Sequence, residues 1–257
     1  MKKFPIWILL LLISWGHTDE ISDIEALPSL RTQRYPMEPY KKIVVFSAPR
    51  TGSSLMYNIC RFLFEKETHF SHRHDDFDQS SSVLKTHKYA DADALKEGEI
   101  LYIVPIRNPL DACASTYRIR PFPEQQEQSY CKALVSRQLN HLIFMEKKKE
   151  AGAQVAFIKY EDFADNLDYL FSFIEANCSI RISDIDKAIM KNGYSRENVY
   201  SSTHSLPDFG QYLPLSGFHG QHVTLEAYTT PDVVLYWLNY YLEGVKPAYR
   251  KHGYFTD

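Results

Sequence analysis

Apolar and polar positions along this chain fall into blocks that predict strands and helices in turn. Residues 43–46 (IVVF) form an unbroken β-branched and aromatic run, short enough for a parallel strand buried on both faces. From Ser53 the period changes, and Leu55, Ile59, Phe62 and Leu63 recur at helical spacing. Residues 83–87 read as a second short strand, and 100–106 as a third that is apolar throughout, followed by a helix over 112–117. A long helical pattern over 129–150 carries Leu134, Leu139, Leu142, Ile143 and Met145 and closes on three lysines before Gly152. A fourth strand follows at 155–158. Leu167, Leu170, Phe171 and Ile174 then predict a helix, 184–191 a shorter one, and 232–249 an aromatic one packing through Trp237, Tyr240 and Tyr241. Strands alternating with helices predict an α/β protein, a three-layer parallel sheet of four to five strands flanked by helices.

The gaps in this pattern divide the chain. Lys2 and Lys3 precede an apolar run over 4–15, with Ser14 and Gly16 as small residues before a cut, so 1–16 reads as a signal peptide or a short membrane anchor. The run is short for a hydrocarbon core of about 30 Å, which favours the signal. Residues 17–40 are polar, with Pro28, Pro36 and Pro39, and read as a linker; 41–257 is then one domain. This order implies the secretory pathway or a membrane-associated protein, with membrane contact through 4–15. A cytoplasmic domain follows instead if the segment is an uncleaved anchor or the start is really Met37. The stretch 201–222, rich in Pro, Gly, Ser and His, is long enough for a lid or for a disordered excursion.

Composition adds bounds. The chain has 257 residues, 44% of them apolar and 24% charged, enough for one sizeable core. A formal charge of -3 provides no global basic footprint, so nucleic acid is not expected as a partner, although the balance is compatible with a local cationic pocket. Cys60, Cys113, Cys131 and Cys178 are widely spaced without a CxxC pair and read as buried small residues; a Cys113–Cys131 disulfide is an alternative that spacing leaves open.

The candidate chemistry gathers at the ends of the predicted strands. Ser47, Ala48, Pro49, Arg50, Thr51, Gly52, Ser53 and Ser54 place hydroxyls, a glycine and a cation where a helix N-terminus aims unpaired N–H groups at an anion. An ordinary strand-to-helix turn would use the same Pro and Gly. Lys85 and His87 are two apart on one strand and share a face. Histidine, with an ordinary pKa near ~6.5, can take a proton at neutral pH, and the lysine can stabilise negative charge beside it. Arg107 ends the third strand, where ligands bind in open α/β sheets, and Ser115 lies in the helix after it. Together they offer a guanidinium fork and a hydroxyl to a second phosphate. The histidine-rich stretch 69–76 has no periodicity to aim its ligands, so it reads as a solvated loop or site rim, and no metal is expected.

Taken in order, these segments resemble the sulfotransferase family. SAPRTGSS is similar to its 5'-phosphosulfate loop, VLKTH to the strand carrying its catalytic histidine, RNPLDACASTYR to its 3'-phosphate segment, and FIKYEDF, over 157–163, to the strand and turn that approach the adenine. The resemblance implies transfer of a sulfuryl group from 3'-phosphoadenosine 5'-phosphosulfate to an acceptor hydroxyl or amine, on a fold like that of the P-loop nucleotide kinases. It further implies that His87 is the general base and that Lys85 steadies the sulfuryl group. Arg50 would bridge the 5'-phosphate and the leaving oxygen. Thr51, Gly52, Ser53 and Ser54 would line the loop, Arg107 and Ser115 would hold the 3'-phosphate, and Tyr160 would face the adenine.

Three departures accompany the resemblance, one of them Arg50 where lysine is common, which preserves the charge but changes the donor geometry. Leu55 stands where the small-molecule branch stacks a tryptophan on adenine, and no Arg-Lys-Gly segment is found, although 216–220 (SGFHG) lies in about its place. A P-loop kinase is the enzymatic rival, weakened because Ser53, not lysine, follows Gly52. A non-catalytic phosphonucleotide-binding protein of the same fold is the other, and the Lys85–His87 pair speaks against it. The acceptor, whether carbohydrate, small alcohol, lipid or tyrosine, is left to loops such as 68–82 and 201–222.

Overall fold

The computed structural model describes residues 24–65, 81–95, 99–123, 125–206, 213, 216–220, 223 and 228–256. Four strands pair in one wholly parallel sheet of order β2-β1-β3-β4: β1 Lys42–Phe46, β2 Val83–Thr86, β3 Ile100–Ile106 and β4 Gln154–Lys159. The central strand β1 is flanked by β2 and β3, with Val45 opposite Lys85 on one side and Ile103 on the other. Since β2 and β3 lie on opposite sides of β1, the winding reverses there. Such a reversal opens a crevice at the carboxyl ends of the strands.

Both faces of the sheet are covered, which is why its strands read as apolar runs without alternation. Ile43, Val45, Leu101, Ile103 and Ile158 share one core with Met56, Ile59 and Phe62 of α1 (Ser53–Phe64). Val44, Phe46, Tyr102, Val104 and Val155 point the other way. They share the second core with Val135, Leu142 and Met145 of α4 (Glu127–Glu150) and with Val234 and Leu238 of α9 (Asp232–Leu242). Neighbouring strand residues therefore serve opposite layers, as the pleat requires. Between these elements lie α2 Tyr89–Ala94, α3 Pro109–Ile119, α5 Tyr160–Phe163, α6 Leu167–Cys178, α7 Asp184–Gly193 and α8 Arg196–Thr203; α10 Lys246–Arg250 closes the series. The three-layer parallel α/β expectation holds, with four strands.

Other expectations change. The described part of the expected linker belongs to the core: Ile24, Leu27 and Tyr35 are buried, and Leu27 packs onto Gly193, where any Cβ would collide with it. The stretch is pinned by Asp186, whose carboxylate accepts from Thr32 N and Thr32 Oγ1, both at 2.8 Å, and from the Tyr35 hydroxyl at 2.6 Å. The expected helix over 232–249 is two, because Gly244 interrupts it and Pro247 can only begin a new one. The first reading of the cysteines holds: all four are buried free thiols, Cys113 and Cys131 included. Among the described residues no helix is long and apolar enough to cross a membrane. The run 4–15, the histidine-rich loop 69–76 and much of 201–222 lie outside the described residues.

Candidate functional site

The turn after β1 is folded tightly by its own small side chains. Thr51 Oγ1 lies 2.8 Å from Ser47 Oγ and 2.9 Å from Ala48 O, and Gln138 of α4 donates to Pro49 O at 2.9 Å. The Thr51 hydroxyl thus shapes the turn as well as facing it. Arg50 has φ 69 and Gly52 φ 85, so the chain passes twice through the left-handed region to bring α1 in behind the strand. Glycine is required at 52 for a second reason. A Cβ there would stand 2.6 Å from Tyr160 Cδ2 and 2.8 Å from Phe163 Cζ.

The corner after β3 closes onto this turn. Arg50 Nε donates to Ser115 Oγ at 3.0 Å, and Arg107 Nη1 donates to Arg50 O at 3.2 Å. The Arg107 guanidinium also lies over the Tyr160 ring, 4.4 Å from its centroid. Asn108 caps α3 by accepting from Leu110 N, which fixes the helix that carries Ser115. Arg50, Thr51, Gly52, Arg107, Ser115 and Tyr160 are thereby brought together.

Lys85 and His87 approach the turn from the other side. Lys85 is 4% exposed and donates to Ser54 Oγ at 2.6 Å. Burial, and secondarily Arg50, pushes its pKa down to about 7. His87 Nδ1 lies 2.6 Å from Ser47 O. A carbonyl can only accept, so Nδ1 carries the hydrogen, and in the neutral ring Nε2 is the basic nitrogen. Ser53 is buried at the first turn of α1 beside Ser54.

The electrostatics are one-sided. Burial, followed by Arg118 and Arg107, lowers Arg50 to about 9, still cationic at neutral pH. Arg118 is lowered by burial, Arg107 and Arg196, with Tyr160 and Tyr228 acting in the opposite sense. Arg107 Nε is buried without a hydrogen-bond partner among the described residues. A buried guanidinium N–H that lacks an acceptor costs about 1–3 kcal/mol, and a bound oxyanion would supply one. The residues present therefore fit a ligand with more than one anionic group.

Three members of this site escaped sequence reasoning. Arg118 stands one turn beyond Ser115 on α3, so its spacing from Ser115 was the available signal. Arg196, at the start of α8, reads as an ordinary surface residue. His219 is 4% exposed, and burial, then Arg50 and Lys85, drives its pKa down to about 3. Its segment is docked on α1 through Asn58, which donates to both Ser54 O and Ser216 O at 2.8 Å. In the sequence, only its position in the chain marks the segment 216–220.

Among solved structures, the chain is similar to the mouse sulfotransferase SULT7A1 complexed with PAP, with a TM-score of 0.53 and 17% identity over 92% of this chain and 91% of that one. The fold is that of a sulfotransferase. No family model matches the sequence, and no curated protein matches it.

Proposed function

We propose that this chain, with its sulfotransferase fold, transfers a sulfuryl group from 3'-phosphoadenosine 5'-phosphosulfate to an acceptor hydroxyl or amine. The observation that carries the reading is the meeting of Arg50 and Arg107 from two separate turns, with Arg107 Nε buried and lacking an acceptor. Arginines gathered in a poorly solvated corner repel one another unless an anion joins them. The mouse sulfotransferase is complexed with PAP, which supports a nucleotide of that class here. Bound, the donor supplies the sulfuryl group and carries phosphates at both its 5' and 3' positions.

The residues divide the work between holding and reacting. Arg107 and Ser115 hold the 3'-phosphate, with Arg118 and Arg196 adding charge where the sequence lacks an Arg-Lys-Gly segment. Arg50 and the amides of the 51–54 turn hold the 5' end at the start of α1. Tyr160 stands by for the adenine. Lys85 Nζ steadies charge near Ser54, and His87 Nε2 takes the acceptor proton. Residues 1–16 are a signal peptide or short anchor in this reading, to be checked by fractionation with N-terminal sequencing.

The test is sulfate transfer from labelled donor, wild type against His87→Ala, with nucleotide binding measured in parallel. Loss of about 10²-fold or more in rate with binding retained is the expected result. Undiminished transfer by His87→Ala would refute the base assignment, and absence of transfer by wild type across a broad acceptor panel would favour a non-catalytic binding protein.

A further inference from the structure

Beside the phosphate turn lies a cleft of about 680 Å³ lined by His87, Lys88, Tyr89, Arg137, Asn140 and His141, among others. One wall is the corner after β2, and the other is the exposed face of α4 that Arg137 and Asn140 share at helical spacing. His141 fastens the two walls together. Its Nε2 is 2.9 Å from His87 O, and its Nδ1 is 2.8 Å from Arg137 O and 3.0 Å from the Tyr89 hydroxyl. His87 belongs both to this cleft and to the turn, through its contact with Ser47 O. An acceptor in the cleft is therefore next to the proposed base.

The charge of the lining is uneven. Lys88 and Arg137 are cations, and among the described residues that line the cleft none is Asp or Glu. Burial lowers the pKa of Arg137, with Tyr89 acting in the opposite sense and Arg120 adding to the lowering. A wall built to hold a neutral alcohol or a lipid has no use for adjacent like charges. We infer that the acceptor is itself an anion: a hydroxyl compound bearing a carboxylate or sulfate, held by Arg137 and Lys88 while its hydroxyl faces His87. This rests on the sulfuryl-transfer reading above. In the step, the acceptor O–H gives its proton to His87 Nε2 and the acceptor oxygen bonds to sulfur. The bond from sulfur to the 5'-phosphate oxygen breaks, and its electron pair leaves with adenosine 3',5'-bisphosphate.

The experiment is calorimetry on the purified full chain with adenosine 3',5'-bisphosphate, then with 4-nitrophenyl β-glucuronide and 4-nitrophenyl β-glucoside, which differ in the carboxylate. Wild type is expected to bind the glucuronide about tenfold or more tightly than the glucoside, as a charge-assisted contact requires. In Arg137→Gln and in Lys88→Gln, both at accessible positions, that ratio should fall toward one with the melting temperature kept. Equal binding of the two probes by wild type, or a ratio unchanged in both variants, would overturn the inference. Nucleotide binding with no glucuronide preference contradicts the acceptor inference alone; a preference without nucleotide binding contradicts the sulfuryl-transfer reading and, with it, the role of acceptor, while the cleft's selectivity for anions stands.

Discussion

Arg50 Nε donates to Ser115 Oγ at 3.0 Å, joining the turn after β1 to the helix after β3. This one bond aims the guanidinium that the proposed chemistry needs at the 5' end, using a hydroxyl expected at the 3' end. The two corners proposed to hold phosphates are thus joined directly. Ser115→Ala should weaken binding of adenosine 3',5'-bisphosphate several-fold and cost about 1–2 kcal/mol of stability, because a buried donor loses its acceptor. Calorimetry and urea unfolding check the two effects separately.

Gly52 and Gly152 both lie at positive φ, at 85° and 100°, but only Gly52 has rings against it. Gly152→Ala should cost about 1 kcal/mol, the conformational penalty alone. Gly52→Ala should cost clearly more, since Tyr160 and Phe163 must shift, and it should also impair nucleotide binding. Similar unfolding free energies for the two variants would refute this account of the turn.

Lys85 carries a pH signature. Its folded pKa of about 7 lies below the ordinary lysine value of 10.5, so between those values the unfolded chain binds more protons. The contribution of Lys85 to stability should therefore rise with pH from about 7 to about 10.5 and be at its lowest below 7. A bound anion favours the charged form, so nucleotide binding near pH 8 should take up protons. Titrations in buffers of different ionisation enthalpy measure that uptake, and Lys85→Met should abolish most of it.

Asp186 holds the N-terminal stretch to α7 through Thr32 and Tyr35. Asp186→Ala should lower stability by about 1–3 kcal/mol, since the buried Tyr35 hydroxyl loses its charged acceptor, while Thr32, which is exposed, can turn to water. A thermal melt within a degree of wild type would show that residues 24–40 are dispensable to the core.

What the sequence disclosed and what it hid have different physical causes. The strands were legible because burial on both faces writes them as continuous apolar runs, and the turn after β1 because Gly52 and its hydroxyls are contiguous. Ile24, Leu27 and Tyr35 were hidden because they enter the core at irregular spacing from a polar, proline-rich stretch with no period to detect. Arg118, Arg196 and His219 were hidden differently: each is unremarkable in its own stretch of chain, and only the fold brings Arg118 and His219 near Arg50, and Arg196 near Arg118. The break at Gly244 was missed because the aromatic period runs through it into the next helix.

The claim on which the rest depends is that the corners bearing Arg50 and Arg107 bind one nucleotide with phosphates at both ends. Titration of the purified chain with adenosine 3',5'-bisphosphate tests it most directly, alongside Arg107→Ala and the single-phosphate nucleotide adenosine 5'-monophosphate. The account predicts saturable binding that weakens about tenfold or more in the variant and for the monophosphate. Equal affinity for both nucleotides, or for wild type and Arg107→Ala, would contradict it.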